Sequence, residues 1–147
     1  MSAPQTTTTH RLTFRALSET FAIHRLPPAT PVPRSVLDLL WFTVSRTHDE
    51  LSLLVPTSYQ LQVDAGIDHR IETPYRAFQI VGTLDFSLVG ILADVATILK
   101  AVGIPIFVIS TYDTDYVLVR ADRADAARTN LVAAGHIVVD EQVGAKE

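Results

Sequence analysis

The sequence predicts an α+β fold in which a βαββαβ unit occurs twice, cleanly in the second half of the chain and in degenerate form in the first. Three observations predict it. Within residues 84–119, Leu88, Ile91, Leu92, Val95, Leu99 and Val102 recur at steps of three and four, the spacing of one helix face, before the texture changes to two apolar strand runs, 106–109 and 116–119. Gly103 and Pro105 separate helix from strand. Glycine accepts the left-handed conformation common just past a helix end, and proline cannot continue the helical ladder. A similar aromatic run, polar turn and apolar run occur earlier, at 41–46 and 51–55 around Thr47, His48, Asp49 and Glu50.

Residues 1–9 end in four threonines and offer nothing to bury, so a tail is expected there, with order beginning near His10. Residues 12–17 alternate, 21–26 form a second short run, and Ser18-Glu19-Thr20 breaks them, which predicts a hairpin. Four of the eight prolines fall within 27–33, an extended loop because each proline removes a donor and restricts its neighbour. Residues 34–40 have room for two helical turns, 41–46 and 51–55 are strands, and 57–61 have room for one turn of helix. The mixed polar stretch 64–74 is the predicted linker.

The second half is more regular. A strand over 76–81, a helix over 87–102, strands over 104–110 and 116–120, a helix from an Asp122 cap through Ala134, and a strand over 136–140 are predicted. Run 106–109 has no polar break, which predicts a strand buried on both faces. Ala124, Ala127, Leu131 and Ala134 share one side of the second helix, and Gly135 ends it. This order is the split βαβ, or ferredoxin-like, unit. The expected division is 10–73 for the first, degenerate subdomain and 74–141 for the second, with helices on one side of each sheet and tails at 1–9 and 142–147.

Composition narrows the function. The 147 residues are 48% hydrophobic and 19% charged, a globular balance. A formal charge of −4, with scattered arginines, argues against nucleic acid, whose affinity comes from clustered Lys and Arg. No run of 18 apolar residues exists, so no membrane span is expected, and no secretory signal is visible. With zero cysteines, disulfides, thiolate metal sites and a Cys nucleophile are excluded, leaving a cytoplasmic location as the expectation.

At Ser87, Leu88, Val89 and Gly90, and over 109–119 (Ile-Ser-Thr-Tyr-Asp-Thr-Asp-Tyr-Val-Leu-Val), the chain closely resembles the small two-copy ACT-domain proteins of microbes. These are similar in turn to the front half of CASTOR, the animal cytosolic arginine sensor. The resemblance is strongest over 76–136 and extends more weakly to 41–47. It implies a non-enzymatic regulatory or sensor module that binds a free amino acid, uses no cofactor and pairs as a homodimer. In the arginine sensor a copy of the hairpin motif helps to hold the ligand, which carries over to Thr111, Tyr112 and Asp115. Lysine-regulated aspartate kinases look similar at this hairpin. The chain has about half the sensor's length, so a pocket between distant copies would need a second subunit.

The residues themselves point to the same two places. The connection 82–90, with Asp85, Ser87, Leu88, Val89 and Gly90, leads from a strand into a helix, whose first amides lack internal partners and attract a carboxylate. Its plainer reading is that Asp85 or Ser87 caps the helix and Gly90 allows close packing. For Asp113 and Thr114 ordinary turn chemistry suffices. Two other functions compete with ligand binding. One is a protein-interaction or oligomerisation module without ligand. The other, a metal-dependent enzyme using Asp113 and Asp115, is weak because neither further oxygen ligands nor a phosphate-binding glycine loop accompanies the pair. His10, His24, His48, His69 and His136 lack zinc-ligand spacing, and Ser58, Ser87 and Ser110 have no neighbouring His as base. Trp41 and Phe42 read as core or subunit interface in preference to a stacking platform.

Overall fold

A computed structural model describes residues 11–82 and 90–142. These form β1 (Thr13–Leu26), α1 (Arg34–Leu37), β2 (Thr43–Arg46), β3 (Leu51–Pro56), β4 (Arg70–Ile80), α2 (Ile91–Lys100), β5 (Phe107–Ser110), β6 (Asp115–Arg120), a 3-10 turn (Ala121–Arg123) running into α3 (Ala124–Ala133), and β7 (Ile137–Asp140). All seven strands join one sheet in the order β2-β3-β1-β4-β6-β5, with β7 paired to β1. Every pairing is antiparallel except β1 with β7.

The fold is α+β and ferredoxin-like. In the second half, β4-α2-β5-β6-α3-β7 follows the expected element order. In the first half, β1-α1-β2-β3-β4 gives the strand order β4-β1-β3-β2 of the same unit, but 57–69 contain no helix where the second would stand. The two halves share strands. The first part of β1 lies between β4 and β7, with Phe14 opposite Ile80 on one side and Val138 on the other, while its last part, from Phe21 to Leu26, pairs with β3. The point between 73 and 74 falls inside β4.

Several elements differ from expectation for identifiable reasons. The predicted hairpin over 12–26 is instead one 14-residue strand, and the Ser18-Glu19-Thr20 break is a bulge. Ala16 pairs with Phe78 and Thr20 with Arg76, so four steps along β1 match two along β4. The displaced groups find other partners. Arg76 donates from Nε and Nη2 to the Leu17 carbonyl at 3.2 and 2.8 Å, and the Ser18 N–H donates to Glu141 Oε2 at 2.7 Å. Part of the predicted linker, 70–74, is strand. It is polar because it is exposed and pairs with β1 along one edge only, β6 beginning its pairing at Tyr75. β5, expected to be buried on both faces, ends the sheet and is half-buried.

α1 is a single turn rather than two. Val36 is its one buried residue, and Leu37 and Leu40 are exposed, so no apolar stripe holds a longer helix. Residues 57–61 form a turn without a helix. Asp122 lies in the 3-10 turn and makes no capping bond, and Ala134 is exposed past the end of α3. Both long helices stop as predicted. Gly103 and Gly135 have φ of +71° and +99°, and the next residue in each case closes the motif, Ile104 N–H on Leu99 O at 3.0 Å and His136 N–H on Leu131 O at 3.1 Å.

Burial assigns the faces. Under α2 and α3, Phe14, Phe78, Ile80, Val95, Leu99, Val117, Val119, Ala127 and Leu131 form the main core. The opposite face carries Leu17, Phe21, Leu54, Ala77 and Leu118, with Trp41 and Tyr116 packed against them. A third cluster, Leu26, Leu51 and Leu53, is covered by Val32, Leu61 and Val63 from loops, which is why the first copy reads as degenerate. Among the described residues no helix is long and apolar enough to cross a membrane.

Candidate functional site

One end of the sheet holds the four predicted site residues that lie among the described ones, Gly90, Thr111, Tyr112 and Asp115. β4 finishes there at Ile80, next to the start of β1, with the Val81 N–H donating to Thr13 O at 2.8 Å. The β5–β6 hairpin turns at the same end, since Gln79 pairs with Tyr116 and Ser110 with Asp115. α2 also begins there, its first bond running from Asp94 N–H to Gly90 O at 2.9 Å. Asp85, Ser87, Leu88 and Val89 lie outside the described residues.

The hairpin is held by its own threonines. Thr111 donates from its N–H to Thr114 O at 2.8 Å and from Oγ1 to the same oxygen at 3.0 Å, and its Oγ1 accepts the Thr114 N–H at 3.3 Å. Its hydroxyl is therefore engaged within the turn. Thr114 is buried, and its Oγ1 donates to Ile80 O at 2.5 Å. That bond ties the hairpin to the end of β4.

Of the predicted binding residues, Asp115 opens β6 half-buried, and strand alternation puts it on the helix-covered face with Val117 and Val119. Tyr112 is exposed at the tip. Gly90 caps α2 with φ of +89° and no side-chain bond; among the described residues a Cβ there would meet nothing within 4 Å, and the positive φ is what calls for glycine. Asp113 is exposed beside Asp115, and among the described residues no three His, Cys, Asp or Glu side chains are grouped as metal ligands would be.

Two residues at this end were not singled out as site residues from the sequence. Thr114 read as turn chemistry, yet it carries the tie to β4. His136 is buried, accepts the Leu12 N–H at Nδ1 over 3.0 Å, packs edge-on against Phe14, and has no partner for Nε2 among the described residues. No spacing in the sequence marks either one.

His136 and the distant His24 make stability depend on pH. Burial lowers the pKa of both below 6.5, with His69 lowering His24 further and Asp94 partly opposing the shift at His136. Geometry gives the same direction. A proton on His136 Nδ1 would displace the Leu12 bond, and His24 Nδ1 shares a 2.8 Å hydrogen bond with His69 Nε2 that a doubly protonated pair cannot keep. The unfolded chain thus binds more protons between the folded pKa values and 6.5, so stability is full above that window and falls as pH drops through it. The thermal midpoint should therefore fall from about pH 7.5 to about pH 5.5, and less so in a His24→Asn/His136→Asn variant. Equal pH dependence in the two proteins would remove the histidines as its source.

The ACT-domain sequence model matches residues 70–131. A crystal structure of an Agrobacterium tumefaciens protein superposes with a TM-score of 0.79 at 29% identity, covering 94% of this chain and 99% of that one. A Vibrio cholerae protein of unknown function, described as a possible transport protein, gives 0.64 at 20% identity over 83% of this chain and 88% of its own. The ligand-free regulatory subunit of aspartate kinase from Thermus thermophilus gives 0.58 at 14% identity over 83% and 96%. The latter two likenesses show the fold alone. No curated protein sequence matches the chain. Residues 70–131 thus match an ACT domain, and the chain's fold is like that of ACT regulatory domains.

Proposed function

We propose that this chain is a non-enzymatic regulatory module that senses a free amino acid in the cytoplasm and works as a homodimer. The reading includes the finer resemblance, to two-copy ACT proteins akin to the front half of the arginine sensor. The observation that carries it is the Thr114 Oγ1 to Ile80 O bond, which brings the predicted hairpin against the strand end that feeds the predicted helix-start loop. Asp115 receives a cation, either the ligand's α-ammonium or a basic side-chain tip, in charge-assisted hydrogen bonds. Thr111 assists while holding the turn, and Tyr112 covers the aliphatic stem. Backbone amides from about Ser87 to Gly90 receive the α-carboxylate. The exposed edge of β5 offers unpaired backbone groups to a second copy.

A thermal-shift screen of the common amino acids tests the proposal, because a ligand at 100 times its dissociation constant stabilises the folded state by about 2.7 kcal/mol. For whichever amino acid binds, calorimetry on Asp115→Ala should show a loss of about 1.5–3 kcal/mol of binding free energy with the fold retained. Equal binding by the variant would make Asp115 a structural residue of the hairpin only. If no amino acid stabilises the chain while light scattering still shows a dimer, the interaction-module reading takes over.

A further inference from the structure

On the opposite face of the sheet from α2 and α3, the β1 bulge opens a cavity of about 450 Å³ that none of the described residues of the proposed amino-acid site lines. Leu17 and Phe21 form its floor, Trp41 and Tyr116 its aromatic wall, and Glu19 and Glu141 stand at its rim. Trp41 lies 4.6 Å from Phe21 and 5.4 Å from Tyr116 between ring centroids, so the three rings form one connected surface. The bulge and its ties fix the acids there. Glu141 Oε2 accepts both the Ser18 N–H at 2.7 Å and the Ser18 hydroxyl at 3.0 Å, and its other oxygen has no partner among the described residues. Among the described residues Glu19 makes no hydrogen bond or ion pair, and no Lys, Arg or His lines the cavity.

We propose that this cavity is a second binding site, one that takes a small organic cation lacking a carboxylate, an alkylammonium or alkylguanidinium ion. Ring faces attract a cation through their quadrupoles, and the two carboxylates supply the charge partner. With no cation among the described lining residues, a free carboxylate is an unfavourable occupant, which separates this ligand class from the zwitterion of the proposed amino-acid site. The same sheet face already carries such an arrangement within the chain. The Arg120 guanidinium sits 5.6 Å from the centre of the Tyr75 ring and donates to Glu72 Oε2 at 2.8 Å. An aromatic, a cation and a carboxylate thus meet there as they would around a ligand at Trp41.

Trp41 is the chain's single tryptophan, so its emission reports on the cavity directly. The full chain is titrated with isoamylamine, which is cationic at neutral pH, and with the neutral, similarly shaped isoamyl alcohol, at constant ionic strength. The amine should change Trp41 emission saturably and the alcohol should not. Glu19→Gln, at an exposed position with no bonds to other described residues, should weaken the amine about tenfold, the worth of one hydrogen bond to a charged group. The proposal is overturned by any of three results: no saturable change, equal responses to amine and alcohol, or an unaltered response in Glu19→Gln.

Discussion

A fragment of residues 74–147 should fail to fold on its own, although it contains nearly all of the cleaner βαββαβ unit. The reason is the shared strand. Phe14 and Ala16 of β1 belong to the core under α2 and α3, and β7 pairs with β1 instead of β4. Removing β1 strips one side of β4, leaves β7 without its ladder and opens the core between them. A half-length piece is marginal even when complete, since small domains bury too little of their surface. The complementary fragment, 1–73, loses everything of β4 from Pro74 onward, including the residues against the first part of β1. The intact chain should accordingly unfold in one cooperative transition. Circular dichroism and amide-proton NMR on the 74–147 fragment decide the matter; dispersed signals with a cooperative melt would show that the second unit stands alone.

The same sharing explains which parts of the fold were legible. The second half was readable because its periods are local: α2 carries Ile91, Val95 and Leu99 inward at helical spacing, and Gly103 and Gly135 stop both helices. Long-range features left no such trace. A bulge looks like a turn to any reading based on alternation, because Ser18 and Glu19 are exposed where the strand leaves register. An exposed strand such as 70–74 looks like a linker, because its polar residues satisfy water on both faces. The apolar texture of 106–109 signals strand, but it does not distinguish a central strand from an edge strand whose outer face rests on neighbours such as Tyr116.

For the site, chemistry-bearing residues stood out by type, and their partners did not. The hairpin was visible as a polar interruption between two apolar runs. That Thr111 is engaged within the turn while Thr114 reaches β4 depends on a contact 34 residues away in sequence. The aromatic cavity was less legible still. Trp41 reads as core material, and it does pack on Phe21, but its neighbours Glu19, Tyr116 and Glu141 come from three separate strands or strand ends.

The largest single-residue effect on stability is expected at Phe14. It is fully buried, it lies in the strand between β4 and β7, and its ring meets His136 edge-on at 5.6 Å between centroids. Phe14→Ala should cost about 3–5 kcal/mol, the transfer free energy of the ring plus the cavity left among Ile80, Val95 and their neighbours. That is a large fraction of the roughly 5–15 kcal/mol available to a domain. Leu37→Ala, at an exposed position on the single turn of α1, should stay within about 0.5 kcal/mol. A second readout ties the loss to this contact. Burial is what holds the His136 pKa below 6.5, so opening the cavity beside it should let the value climb back toward 6.5 in an NMR titration. Urea denaturation that gives Phe14→Ala and Leu37→Ala the same midpoint would mean that β1 does not hold the two halves together through this residue.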